Sequence, residues 1–284
     1  MTKPRLSIIV GTYNWPDALR LCLNSLGSQS NRDFEIIVAD DGSGSQTAEL
    51  ISRVSGTLPM NIRHVWQEDI GFRKSLILNV AIREARGGYL IFLDGDCIAQ
   101  PDFVARHLEL AQPGCLVTGS RIMLGKTLTK ELLLHEKLDF GLFLRKAPAY
   151  RLRNQISKLL PLFLRAPNTG FRDYRSFIWR RIKGCNLACW REDALRIGGF
   201  DEGLTGWGHE DADFVLRLHE IGVVRRSGAW ATEILHLWHP DADRSLEESN
   251  RRIVSERIAA VKERLARTSG QKAPVTRSPP DPRP

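Results

Sequence analysis

Two kinds of hydrophobic spacing alternate over the first 120 residues. Leu6 to Val10, Phe34 to Ala39, Asn61 to Trp66, Tyr89 to Leu93 and Leu116 to Thr118 are short runs that read as strands. The segments between them follow helical spacing. Leu19, Leu23 and Leu26 line one side after Pro16, Gln46 to Val54 fits a helix, and Leu76, Val80 and Arg83 recur within Phe72 to Ala85. Pro101 opens another helix, because its fixed φ suits a first helical turn. Strands alternating with helices predict βαβ units and a mainly parallel sheet, and the unbroken apolar run Tyr89 to Leu93 predicts a strand covered on both faces.

The pattern changes after Thr118. Between Arg121 and Lys183, fifteen Lys or Arg face four Asp or Glu, so this stretch carries more positive charge than the net +8 of the whole chain. Leu152, Ile156, Leu159, Leu160, Phe163 and Leu164 recur at helical spacing among Arg151, Arg153, Lys158 and Arg165. That predicts a basic amphipathic helix, which Pro161 kinks or ends. Helical or mixed structure resumes at Arg191, Leu246 to Leu265 predicts a charged helix, and the Pro-, Ser- and Arg-rich end from Thr268 predicts disorder. Four regions result: 1–120, 121–182, 183–267 and 268–284.

A chain of 284 residues, 42% hydrophobic, suits one large α/β domain or two small ones. No run approaches the roughly 18 apolar residues that suggest a membrane span, and the first residues lead into a strand, so a cytoplasmic protein is expected. Five cysteines (Cys22, Cys97, Cys115, Cys185, Cys189) without secretory context predict reduced thiols. The i, i+4 spacing of Cys185 and Cys189 does not match a zinc knuckle.

The strand Tyr89 to Leu93 runs into Asp94-Gly95-Asp96. Alternate residues of an extended chain turn to one side, and open α/β sheets bind ligands beyond the carboxyl ends of their strands. Both carboxylates can therefore face one hard cation, or a sugar-phosphate held by it. Alone the doublet also reads as a solvated turn. Two further clusters change its weight. In Gly206-Trp207-Gly208-His209-Glu210-Asp211-Ala212-Asp213 an indole precedes three carboxylates at a helix start. The macrodipole favours acidic groups there as caps, and the same field keeps a carboxylate ionised. Beside an aromatic platform for a sugar face, such a group suits a general base acting on a sugar hydroxyl, and the base is the favoured reading. The segment Glu233 to Pro240 is a strand ending in two histidines. An imidazole added to a cation held by Asp96 gives an oxygen and nitrogen shell that suits Mn²⁺ better than Ca²⁺. His236 is the preferred ligand, while His239, before Pro240, suits packing or hydrogen bonding.

Ordered motifs then carry a family resemblance: Ser7-Ile8-Ile9-Val10-Gly11-Thr12-Tyr13-Asn14, Val38-Ala39-Asp40-Asp41-Gly42-Ser43, Gly71-Phe72-Arg73-Lys74 through Asn79, Asp94-Gly95-Asp96, Gly198-Gly199-Phe200-Asp201 and Gly206 to Asp211. They cover residues 5 to 120 and 183 to 240. The chain resembles family 2 glycosyltransferases of the GT-A fold, with a carboxyl-terminal part similar to that of galactosyltransferases and chondroitin polymerases. The resemblance implies an α/β fold, a Rossmann-like, mainly parallel central sheet flanked by helices, here with a basic helical insert at 121–182. It implies a nucleotide-sugar-binding half at 1–120 and an acceptor-binding, catalytic half at 183–267. Thr12 and Tyr13, with Asn14 and Gly95, would line the nucleotide pocket, and Asp40 would accept a hydrogen bond from uracil. Arg73 and Asn79 would lie near the nucleotide and its phosphates, and Asp94 would contact the ribose or sugar. Asp96 would bind a Mn²⁺ or Mg²⁺ ion bridging the diphosphate, with His236 as a further ligand. Asp211 would be the catalytic base, and Glu210 and Trp207 would hold the acceptor sugar. The implied reaction is inverting transfer from a UDP-sugar, with galactose or N-acetylgalactosamine as the suggested sugar, to a glycan hydroxyl in bacterial cell-envelope polysaccharide or lipopolysaccharide synthesis.

The basic insert has no counterpart in the resemblance. It reads as a solvated face, or as a surface drawn to an anionic membrane, where each Lys or Arg contributes about 1 kcal/mol. The second reading places the protein peripherally at the inner face of the membrane, beside lipid-linked or phosphorylated acceptors. No aromatic-interleaved or zinc motif supports nucleic acid as a partner. A non-catalytic glycan or membrane-surface adaptor that retains the fold is the alternative from another class, and the full acidic and histidine set speaks against it. Gly11-Thr12-Tyr13-Asn14 is neither the glycine-rich, lysine-containing loop of a nucleotidyltransferase nor the G-x-G-x-x-G of a dinucleotide-binding dehydrogenase.

Overall fold

The computed structural model describes residues 5–270 except Arg175 and Arg180. Its strands are β1 (Leu6–Thr12), β2 (Phe34–Asp40), β3 (Ile62–Trp66), β4 (Tyr89–Asp94), β5 (Cys97–Ala99), β6 (Cys115–Thr118), β7 (Ser120–Met123), β8 (Asp173–Tyr174), β9 (Asn186–Trp190), β10 (Val224–Ser227) and β11 (Glu233–His236). Its helices are α1 (Pro16–Gly27), α2 (Ser45–Ser55), α3 (Lys74–Glu84), α4 (Phe103–Leu110), α5 (Lys126–Leu133), α6 (Phe140–Leu152), α7 (Arg191–Arg196), α8 (Glu210–Glu220) and α9 (Glu247–Gly270). The end expected to be disordered lies outside the described residues from 271 onward, while Thr268 to Gly270 extend α9.

An eight-stranded sheet has the order β3-β2-β1-β4-β9-β6-β10-β8, and a three-stranded sheet has the order β5-β11-β7. Strands β3, β2, β1 and β4 are parallel, as predicted. β9, which the hydrophobic pattern did not reveal, enters antiparallel between β4 and β6 and makes the sheet mixed. The strand order reverses at β1 and β4, where Gly11 pairs with Asp94. Such a reversal opens a crevice at the carboxyl ends of the strands.

Both faces of this sheet are covered, which explains its unbroken apolar runs. Ile8 and Val10 of β1 and Ile91 and Leu93 of β4 pack with Leu19, Leu23 and Leu26 of α1 on one face. Ile9, Leu90 and Phe92 pack with Ile77 and Leu78 of α3 and Phe214 and Leu218 of α8 on the other. A third cluster joins the insert to the small sheet through Ile122, Leu128, Phe143, Ile156, Leu162 and Leu235.

The amphipathic helix predicted from Leu152 to Leu164 is not formed. α6 ends at Leu152, followed by Asn154 in the left-handed region at φ 54°, a conformation that asparagine tolerates at helix ends. The chain then extends so that Ile156 bridges Leu124 antiparallel, and a short 3₁₀ turn follows at Leu160–Leu162. Ile156 and Leu162 are buried, while Leu152, Leu160, Phe163 and Leu164 are exposed. No helix among the described residues is long and apolar enough to cross a membrane.

Candidate active site

The loops after β1, β2 and β4 meet at the reversal point. The Gly95 N–H donates to Gly11 O at 2.7 Å. A Cβ on Gly95 would stand 3.1 Å from both Gly11 O and Thr12 Oγ1, so the close approach favours glycine there. Asn14, at φ 44°, ties the first two loops together: its N–H donates to Ser43 Oγ at 2.8 Å, and its Oδ1 accepts from the Gly44 N–H at 3.0 Å. Tyr13 is half exposed and its hydroxyl donates to Asp69 Oδ2 at 2.9 Å, a bond that raises the phenol pKa.

Asp40 ends β2, Asp41 follows it, and both are buried. Asp40 Oδ1 accepts from the Ser43 N–H at 2.8 Å, and Oδ2 accepts from His64 Nε2 at 2.9 Å. Burial would raise its carboxyl, but the His64 and Ser43 bonds outweigh burial and hold it below the ordinary carboxylate range. Each oxygen holds one of these bonds, so Asp40 braces the loop and links it to β3. Asp41 accepts from the Arg73 N–H at 2.9 Å and from Gln67 Nε2. The Arg73 guanidinium donates to Glu68 O at 2.6 Å, which places it beside the loop that precedes α3.

Lys74, at the start of α3, reaches Asp94 with Nζ 2.6 Å from Oδ1. Burial works against its charge, yet Asp94 and Glu210 hold the ammonium well above the ordinary lysine range. Glu210 is buried at the first position of α8, and its Oε2 has no partner in the protein. Burial and the neighbouring Asp211 push its carboxyl up to about 7 against the pull of Lys74. Asp211 is only partly buried: Oδ2 accepts from the Gly184 N–H and Oδ1 from the Ala212 N–H, both at 2.7 Å. It therefore caps and is also pinned to the segment leading into β9. The third carboxylate, Asp213, faces away and pairs with Arg217 and Arg257 at 2.7 and 2.6 Å.

Gly206 at φ +73°, Gly208 at +111° and His209 at +70° turn the chain into α8. Trp207 lies in this turn, and the Arg244 guanidinium sits 4.8 Å from its ring centroid, so one face is covered in this state. His209 stacks on Trp179 at 5.5 Å.

Asp96 meets both histidines. His239 Nε2 lies 3.2 Å from its Oδ2 and His236 Nε2 lies 3.7 Å away. His239, expected to pack, thus joins the set. Each imidazole donates from Nδ1 to a carbonyl, His236 to Leu237 at 2.9 Å and His239 to Pro240 at 2.6 Å. A carbonyl only accepts, so Nδ1 is the donor in each of these bonds and Nε2 is the ring nitrogen turned toward Asp96, where it could bind a cation. One carboxylate and two imidazole donors within 4.8 Å of one another fit a Mn²⁺-type cation. Cys97 and Cys185 stand behind His236, where burial raises the Cys97 thiol far above its ordinary range and keeps it protonated.

Asn79 is not brought to the crevice. It is buried, donating from Nδ2 to Phe200 O and Glu202 Oε1, both at 2.9 Å, and accepting from the Phe200 N–H at 2.7 Å. A Cβ on Gly199, itself at φ +79°, would come within 2.2 Å of Asn79 Oδ1. Asn79 thus holds the Gly198 to Glu202 loop, and its side-chain amide is engaged there. Lys74 was missed as a site residue: it stands within a quoted motif, but only the fold shows which carboxylate its long side chain meets.

A family model for glycosyl transferase family 2 matches residues 7–175, and one described as the N-terminal domain of galactosyltransferase matches residues 171–239. The chain is 30% identical over 241 residues to chondroitin synthase from Escherichia coli, covering 78% of this chain and 33% of the synthase. It is 30% identical over 252 residues to validoxylamine A glucosyltransferase from Streptomyces hygroscopicus subsp. jinggangensis, covering 82% of this chain and 56% of that protein. The chain therefore spans between a third and somewhat over half of these curated relatives. Among solved structures it matches GalNAc-T7 with UDP, GalNAc and Mn²⁺ at a TM-score of 0.62, with 16% identity, 90% of this chain and 48% of the other. It matches S. aureus TarS 1–349 in complex with UDP-GlcNAc at 0.61, with 15% identity, 90% of this chain and 66% of the other. At these identities the likeness carries the fold, which is GT-A.

Proposed function

The chain belongs to glycosyl transferase family 2, and from that premise we propose that it transfers a sugar from a UDP-sugar to a glycan hydroxyl with inversion. The observation that carries this reading is the meeting of Asp96, His236 and His239 with the Lys74–Asp94 pair at the sheet's reversal point. A divalent cation held by Asp96, His236 and His239 would neutralise charge on the leaving diphosphate. Thr12, Tyr13, Asn14 and Gly95 form the loop surface offered to the nucleotide, Asp94 orients the donor sugar or ribose, and Arg73 adds positive charge nearby. Asp211, held by the Gly184 N–H, takes the proton of the acceptor hydroxyl as that oxygen attacks the anomeric carbon. One displacement from the face opposite the diphosphate inverts the centre. Glu210 and Trp207 hold the acceptor, with Arg244 leaving the indole face when the sugar arrives.

The relatives' names, a chondroitin synthase and a glucosyltransferase, support a sugar donor without choosing among UDP-galactose, UDP-N-acetylgalactosamine and their epimers. A place in cell-envelope polysaccharide or lipopolysaccharide synthesis, peripheral to the cytoplasmic face of the membrane, accords with the basic insert. Calorimetry of UDP with and without Mn²⁺, followed by a UDP-sugar panel scored for UDP release, tests the reading. Mn²⁺-dependent UDP binding and release from one donor are expected. Glycan binding without UDP binding would establish the adaptor alternative instead.

A further inference from the structure

A second cavity, of about 590 Å³, opens beside the catalytic crevice between β7, the Lys158 to Pro161 segment and β10. Arg121, Lys158, Arg181, Lys183 and Arg225 line it, against the single carboxylate of Glu233. We propose that this cavity is an anion subsite of the acceptor, taking a phosphate or diphosphate group carried by the acceptor glycan. The proposal rests on the glycosyl-transfer reading above and adds to it the chemical class of the acceptor.

Position links the cavity to the chemistry. Lys183 precedes Gly184, whose N–H holds Asp211 at 2.7 Å, and Arg121 reaches Cys185 Sγ at 3.6 Å. On this proposal an anion seated among these cations is carried by the molecule whose hydroxyl faces Asp211. Charge selects the anion. Arg225 is engaged with Thr118 Oγ1 at 2.9 Å and lies over the Tyr174 ring at 4.5 Å. No described carboxylate makes an ion pair with Arg121, Lys158, Arg181 or Lys183. Lys158 donates to Ser120 Oγ at 2.7 Å, a neutral acceptor. Burial pushes its ammonium below the ordinary lysine range, Glu233 opposes this, and Arg121 and Arg181 add to the depression. Such a set of mutually repelling cations is relieved by a multivalent anion, whereas one sugar carboxylate would leave most of the charge uncompensated. Glu233 sits on the floor with Oε1 accepting from the Trp230 N–H at 2.6 Å, and it offsets only part of that charge.

The rim suits an apolar continuation. Leu160 lines the cavity, and Phe163 and Leu164 of the same turn are exposed. A phosphate on a soluble acceptor and a diphosphate carried by a prenyl lipid share the recognised chemistry.

The test titrates inorganic pyrophosphate into the full chain in EDTA, so that no cation bridges it to Asp96. Saturable binding is expected, weakened about tenfold by each of Lys158→Ala, Arg181→Ala and Lys183→Ala. Arg145→Ala, on an exposed part of α6 outside the cavity, should leave it unchanged. Absence of pyrophosphate binding, or equal affinity in wild type and all three variants, overturns the subsite. Titration of UDP with Mn²⁺ into the same preparations reads the donor site separately: normal UDP binding with no pyrophosphate binding sinks the subsite alone, whereas lost UDP binding sinks the transfer reading. Phosphatidylcholine vesicles with and without a prenyl diphosphate distinguish the sources. Preference for the doped vesicles, lost in the variants, assigns a lipid-linked acceptor; competition by a soluble sugar phosphate with no vesicle preference assigns a soluble one.

Discussion

Lys74 Nζ stands 2.6 Å from Asp94 Oδ1, so the first residue of α3 is clamped to the last residue of β4. The pair is mostly shielded, with side chains 19% and 27% exposed, and Glu210 adds negative charge nearby. Removing one partner of a buried pair leaves the other uncompensated. Lys74→Met should lower stability by about 1–3 kcal/mol, less than a fully buried pair because water still reaches both groups. Urea midpoints check this. The double variant with Asp94→Asn should lose less than the sum of the single losses, and strict additivity would show that the two groups are not coupled.

The two histidines make separable predictions. With each Nε2 turned toward Asp96, His236→Ala and His239→Ala should each weaken Mn²⁺-dependent UDP binding by at least about tenfold. Binding without metal should be the same in both variants and in wild type. Calorimetry in Mn²⁺ and in EDTA gives both numbers. A His239→Ala protein that binds Mn²⁺ and UDP as wild type does would return His239 to a packing role.

The contrast between His236 and His239 illustrates what sequence pattern conveys. A strand leading into two histidines was legible, as were β1 to β4, their helices and the D-x-D at the crevice, because each rests on local periodicity or on the end of one strand. The second imidazole was not legible: a residue before proline has a restricted backbone, but its side-chain direction depends on Asp96, which lies far away in sequence. β10 was hidden for a related reason. Arg225 and Arg226 make it look like surface, whereas both are buried and Arg226 pairs with Asp173 at 2.6 Å. The helical spacing from Leu152 to Leu164 misled because Ile156 is taken by a bridge to Leu124, a long-range contact that local spacing does not encode.

Asn79 separates bracing from ligand contact. Its side chain makes three hydrogen bonds to the Phe200 to Glu202 segment while buried. Asn79→Ala should cost about 2–4 kcal/mol by leaving the Phe200 N–H and carbonyl unsatisfied and the Glu202 carboxylate without its donor. UDP affinity, measured well below the variant's melting temperature, should be unchanged. A large loss of UDP affinity in a folded variant would place Asn79 at the nucleotide site.

Asp211 and Glu210 are adjacent but differ in exposure, and turnover distinguishes them. Asp211→Asn should reduce kcat by roughly 10²- to 10⁴-fold with UDP binding preserved, the loss typical of a missing general base. Unaltered kcat would remove Asp211 from the mechanism. Glu210→Gln, if Glu210 holds the acceptor, should raise the acceptor KM more than it lowers kcat.

Glu210 also predicts a stability profile that does not depend on substrate. Its carboxyl is pushed up to about 7 from an ordinary 4.5, chiefly by burial. Between those two values the native chain holds a proton that the unfolded chain has released. Stability must therefore fall as pH rises through this window and level off above it. Glutamine cannot titrate, so Glu210→Gln lacks that decline. Relative to wild type, the variant should gain stability progressively from pH 4.5 to pH 8, by up to about 3 kcal/mol. Parallel thermal melts across that range measure the difference directly. A difference that stays constant with pH would mean that Glu210 ionises like an exposed carboxylate, with Lys74 compensating its burial in full.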